Sequence, residues 1–243
     1  MFVPGGESYL FSFKDFWAHL RLESQAKEIE MKIGVLGSGD VAKVLGSGFL
    51  KHGYAVTMGT RSPEKLAEWN TQNPKGLVDT FDAAAASAEI IVLAVKGNAA
   101  AEALRLAGVE NLAGKPVVDA TNPIADAPAI HGVLQFFTNR NDSLMEQLQQ
   151  EFSGAKFVKA FNSVGAASMV DPQFKGSKPT MFICGNDEMA KKSVSGILEA
   201  FGWETADMGA AEAARAIEPL CMLWCIPGFL HNQWTHAFKL LTA

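Results

Sequence analysis

From Met31 onward the chain alternates short apolar strands with helices, and its first strand ends in a glycine pair that opens a helix. "KIGVLG" is β-rich and apolar; "DVAKVLGSGFLKHG" follows with helical periodicity and stops at Gly53. "YAVTMG" predicts a second strand, "SPEKLAEWNTQN" a helix with Pro63 in its first turn, and "GLVDT" a third strand. The helix "FDAAAASA", the strand "EIIVLAV", the helix "NAAAEALRLAG" and the strand "KPVVDATNP" continue the series. Alternation at this spacing implies a parallel sheet covered on both faces, and right-handed crossovers make it doubly wound. The expected fold class is therefore α/β, a Rossmann-type sheet.

After Pro123 the pattern loosens, then resumes with the helix "SLMEQLQQEF" and the strand "AKFVKAFN". "PTMFICG", the helix "DEMAKKSVSGILEAFG" and "WETADMG" predict a smaller C-terminal α/β extension that continues the sheet. Residues 210–243 read as mostly helical, with a break at Pro227-Gly228. The organisation expected is an N-terminal extension at 1–30, a dinucleotide-binding domain at 31–160, and a substrate and dimerisation region at 161–243. In the extension Phe13, Phe16, Trp17 and Leu20 share one helical face. A packed helix, a partner-binding helix and an extension without a role all remain open there.

"GSGDVA" sets Gly37, Gly39 and Ala42 in the G-x-G-x-x-A form, after a strand and before a helix. Gly37 allows the tight turn, Gly39 lets the backbone approach a pyrophosphate, and Ala42 lets the helix pack closely. The helix N-terminus then offers free N–H groups and a positive dipole to the anion. An NAD-binding unit carries Asp or Glu after its second strand. Here that place reads "GTRSPEK", with Thr60, Arg61, Ser62 and Lys65. Hydroxyls donate to a phosphate, Arg61 grips it, and Lys65 adds a second cation. The expected cofactor is NADP(H). Loops at the same sheet edge add Val95, Lys96, Asn122 and Pro123 near the ribose and nicotinamide, with Asn162, Ser163 and Val164 pointing at the same place.

The net charge of -5 argues against non-specific nucleic-acid binding. Cys184, Cys221 and Cys225 form neither a disulfide framework nor a metal spacing, and no metal site is expected. The most apolar stretch, "PLCMLWCIPGFL", is 12 residues long and interrupted by Pro227, so no membrane span and a cytoplasmic protein are expected. The same stretch carries more apolar surface than one helix face buries. It predicts a homodimer, with Trp224 in the interface.

"KIGVLGSGDVAKVLGSGFLKHGYAVTMGTRSPEK", "ATNP" and "VKAFNSVGA" resemble the NADP oxidoreductases that depend on the deazaflavin coenzyme F420. They are also similar to the cytosolic NADPH-binding domain of transmembrane ferric reductases. The resemblance covers roughly residues 31–206. It implies that Ser38, Gly39, Asp40 and Val41 meet the pyrophosphate and that Thr60, Arg61 and Lys65 meet the 2′-phosphate. It also implies that a flavin or deazaflavin stacks near "FNSVGA". "AARAIEPLCMLW" resembles a bacterial branch that need not use the deazaflavin, and residues 1–30 depart from the family's pattern.

Hydride exchange between NADPH and a flavin-like ring needs no strong side-chain acid, and no catalytic Lys-Asp, Ser-Tyr-Lys or His-Asp set is legible. The small-molecule redox acceptor is not specified by the sequence. Two alternatives stand beside this reading: a non-catalytic NADPH-binding sensor, and an imine reductase of the pyrroline-5-carboxylate reductase type. The latter is disfavoured by the strands after residue 155.

Overall fold

The computed structural model describes residues 30–242, so the apolar face expected at Phe13, Phe16, Trp17 and Leu20 lies outside them. From Met31 onward the chain is one compact unit. Six parallel strands form the main sheet: β1 (Lys32–Leu36), β2 (Ala55–Gly59), β3 (Leu77–Asp79), β4 (Ile90–Leu93), β5 (Pro116–Asp119) and β6 (Lys156–Lys159). Their order is β3-β2-β1-β4-β5-β6. The order reverses between β1 and β4, which opens a crevice at the carboxyl edge of the sheet.

Helices cover both faces. On one face α1 (Asp40–Lys51) and α7 (Glu188–Ala200) pack over Val35, Val92, Val118 and Val158. On the other, α3 (Phe81–Ser87), α4 (Ala100–Ala107) and α6 (Leu144–Glu151) pack over Leu36, Ile91, Leu93, Val117 and Phe157. Successive strand residues thus feed opposite cores, which is why these strands are apolar throughout. Two short helices, α2 (Ala67–Gln72) and α5 (Val109–Leu112), complete the connections. The helix expected from Ser62 begins instead as a 3-10 turn, Pro63–Leu66, before α2.

The C-terminal half departs from expectation in three places. First, β7 (Thr180–Ile183) and β8 (Glu204–Asp207) form their own parallel pair. They meet the main sheet at one antiparallel bridge, Lys159 to Cys184. The connection after β6 holds only a 3-10 turn, Ala166–Ser168, and a parallel neighbour would need a long crossover.

Second, Pro227 does not break the last helix. After the short α8 (Ala214–Ile217), α9 runs unbroken as Pro219–His231. A proline there removes one N–H and costs about 3 kcal/mol in an isolated helix. Packing offsets that cost: a Cβ at Gly228 would lie 2.2 Å from the Trp234 ring, so the glycine seats the indole against the helix. Asn232, in the left-handed region, ends the helix with its N–H on the Gly228 carbonyl.

Third, the helical run Ala211–His231 has 21 residues and a mean hydropathy of 1.3 over its most apolar window, with a third of that window buried. By length and composition it is a possible membrane span, which corrects the 12-residue expectation; Pro219 sits at its helix's first turn and stops nothing.

Candidate dinucleotide site

Gly37 turns at φ +144°, and a Cβ there would lie 2.2 Å from the Ala94 carbonyl oxygen. The protein's own backbone therefore demands this glycine. Gly39 is different. It is the N-cap of α1, in extended geometry, and a Cβ there would meet nothing within 4 Å. No side chain caps the first turn of α1. The open space and the uncapped N–H groups together form a cradle for an anion.

Across the cleft, β2 ends at Gly59, whose carbonyl accepts from Gly37 N–H at 2.9 Å. Thr60 is buried, and its Oγ1 accepts from Ser62 N–H at 3.0 Å, leaving the hydroxyl proton free to donate. Arg61 and Lys65 are exposed. Neither enters an ion pair among the described residues. Asp79, the nearest strand-end carboxylate, pairs in register with Gly59 but accepts from Thr80 N–H. Gly37, Ser38, Gly39, Thr60, Arg61, Ser62, Lys65, Val95 and Lys96 line one cleft of about 340 Å³.

Val95 and Lys96 also line a second cavity of about 270 Å³, with Val41, Gly97, Thr121 and Asn122. A Cβ at Gly97 would lie 2.0 Å from the Asn122 carbonyl oxygen, so these two loops touch. Pro123 is buried outside both cavities, its carbonyl accepting from Phe137 N–H. Asp40 is exposed at the start of α1, beside the first cavity rather than in its lining.

Asn162, Ser163 and Val164 are all buried and stand behind Asn122 rather than in the lining of either cavity. Asn162 Nδ2 donates to Asn122 Oδ1 at 3.2 Å and to the Ile217 carbonyl at 3.0 Å. Its Oδ1 is buried without a donor, a residual acceptor beside the site.

A buried charge cluster escaped the sequence reading. Lys159 Nζ lies 2.6 Å from Asp119 Oδ2 and 2.8 Å from Glu218 Oε1, with all three side chains essentially inaccessible. The ammonium also donates to the Thr121 carbonyl at 3.0 Å. Asp119 Oδ1 accepts from Thr121 N–H and from its hydroxyl. Glu218 accepts from Leu144 and Met145 N–H and so caps α6. Burial pulls the Lys159 pKa down, but attraction to Asp119 and Glu218 outweighs it, and the group is pushed up to about 12. The sequence signal for this buried cluster is a lysine inside the apolar run "KFVKAF". A cavity of about 410 Å³ lies apart from the glycine-loop cleft, between Phe136, Arg140, Arg215, Glu218 and Met222.

The expected interface residue also changes. Trp224 is buried, stacked on His236 and donating Nε1–H to the His236 carbonyl. Leu223, Phe229 and Leu230 are the large apolar side chains exposed on α9.

Residues 32–123 match the family model described as "NADP oxidoreductase coenzyme F420-dependent". The chain is 33% identical over 204 residues to metalloreductase STEAP3 of Rattus norvegicus, covering 82% of this chain and 39% of that protein. It thus spans well under half of that relative. A solved structure from Arthrobacter sp. FB24, described as a candidate F420-dependent NADP-reductase, is 34% identical with a TM-score of 0.82. That match covers 87% of this chain and all of the other. An imine reductase of Streptomyces aurantiacus, 16% identical with a TM-score of 0.62 over 82% of this chain and 63% of its own, shares the fold alone.

Proposed function

The chain belongs to the coenzyme F420-dependent NADP oxidoreductase family, and from that premise we propose that it transfers hydride between NADPH and a flavin- or deazaflavin-type acceptor. The observation that carries the cofactor half is the end of β2. Thr60, Ser62, Arg61 and Lys65 share one cleft with the uncapped start of α1, and no carboxylate among the described residues lines it. A carboxylate among them would repel a 2′-phosphate, whereas this set attracts one.

The residues present fit the cofactor. The empty space beside Gly39 is one that an L side chain would invade, so the glycine serves an approaching ligand. NADPH, when bound, supplies the hydride. The chain's part is to hold and orient. The first turn of α1 takes the pyrophosphate; Thr60, Ser62, Arg61 and Lys65 take the 2′-phosphate; Val41, Val95 and Asn122 wall the reacting end against water.

The test is NADPH oxidation by the purified full chain with riboflavin, FMN, FAD and F420 in turn. Turnover with one of them supports the proposal. Tight NADPH binding without turnover on any would favour a sensor. A second reading follows from the identity to a metalloreductase: a ferric chelate, reached through free flavin, is the final electron acceptor. Adding ferric citrate to the same assay separates the two. We place the reaction in the cytoplasm, where NADPH is supplied, and read the exposed Leu223, Phe229 and Leu230 as a homodimer contact.

A further inference from the structure

We infer that Lys159 is a positioning residue for the nicotinamide half of the cofactor, acting through Thr121 and Glu218; this rests on the NADP(H) reading above. Lys159 and Asp119 are the last residues of β6 and β5 and pair in register, at the carboxyl edge of the sheet. A buried ion cluster is expensive there, and an apolar pair would stabilise the sheet at least as well.

The ammonium pairs with Asp119 and Glu218 and donates to the Thr121 carbonyl. Thr121 is thereby held at its N–H, its hydroxyl and its carbonyl. It lines the 270 Å³ cavity beside Asn122. The second arm runs through Glu218, which fixes Leu144 and Met145 at the start of α6. Leu144 Cδ2 lies 3.1 Å from where a Cβ of Gly97 would be, and Gly97 lines the same cavity. One ammonium therefore ties two walls of the nicotinamide-side cavity together. None of its bonds reaches the Thr60, Arg61 and Lys65 end.

Losing the clamp should therefore affect one half of the cofactor and spare the other. The test titrates full-length Lys159→Met and Glu218→Gln with NADPH and with 2′-phospho-ADP-ribose, which lacks the nicotinamide. We expect NADPH affinity to fall roughly tenfold or more. Affinity for 2′-phospho-ADP-ribose should stay within about twofold, as for independent sites. The fluorescence of bound NADPH should lose the enhancement that a fixed ring gives. Equal loss of both ligands, or no loss of either, in a folded variant overturns the inference. Lys159→Met strands two buried carboxylates; if it does not fold, Glu218→Gln decides alone. A wild-type chain that binds neither ligand defeats the cofactor reading itself. Wild-type binding with unaltered variants defeats only the clamp.

Discussion

Asn122 and Asn162 hold each other: Asn122 Nδ2 donates to the Asn162 carbonyl at 2.8 Å, and Asn162 Nδ2 donates to Asn122 Oδ1 at 3.2 Å. These two hydrogen bonds fix the loop after β5 against the loop after β6. Asn122→Ala removes both links and leaves a buried carbonyl with one partner fewer. It should destabilise the fold by about 1–3 kcal/mol and weaken NADPH. Urea unfolding and a cofactor titration check the two effects together.

The two glycines of the phosphate loop should respond in opposite ways. Gly37→Ala forces a Cβ against the Ala94 carbonyl at a positive φ, and should cost on the order of 2–4 kcal/mol of stability. Gly39→Ala meets open space at an extended φ of -82°. Its stability should stay within about 1 kcal/mol of wild type, while NADPH affinity falls sharply. A Gly39→Ala variant that binds NADPH normally would remove the cradle from the account.

Arg61→Ala should weaken NADPH roughly ten- to a hundredfold and leave NADH nearly unchanged, because a charge-assisted contact to the 2′-phosphate is lost. Equal loss for both nucleotides would instead place Arg61 at the shared pyrophosphate or in the fold.

The buried ammonium makes an alkaline prediction. Burial works to lower the Lys159 pKa in the folded chain, but its carboxylate partners push it up to about 12 from an ordinary lysine value of 10.5. Its stabilisation is thus complete below the unfolded value and disappears as pH rises through the folded one. Unfolding midpoints taken across that window should fall more steeply for wild type than for a folded Lys159→Met. Parallel slopes would mean the cluster contributes nothing to the linkage.

Leu223→Glu and Leu230→Glu should leave the fold intact and, if the chain pairs through α9, give monomers in sedimentation at micromolar concentration. Trp224→Glu is a poor probe of the same contact, since it buries a charge against Trp234 and His236.

What could be read beforehand was local. The strand–glycine–helix unit and "GTRSPEK" each lie within one short segment, so spacing alone carries them. Distant pairings were not legible. The continuity of α9 through Pro227 depends on Trp234 seating against Gly228, a tertiary gain that outweighs a local penalty. Lys159 inside an apolar strand reads as an edge charge until Glu218, far along the chain, arrives beside it. The separate β7-β8 pair follows from the missing crossover helix after β6, where the apolar pattern alone continues unchanged. Asn162 to Val164 follow β6 at the sheet edge, but their burial behind Asn122 leaves no trace in their types.

The central claim is that the hydroxyl and cation set after β2 selects a 2′-phosphate. Direct titration of the wild-type full chain with NADPH and with NADH, in one buffer at low salt, tests it most directly. The account predicts NADPH tighter by roughly tenfold or more. Equal affinities, or tighter binding of NADH, would contradict it.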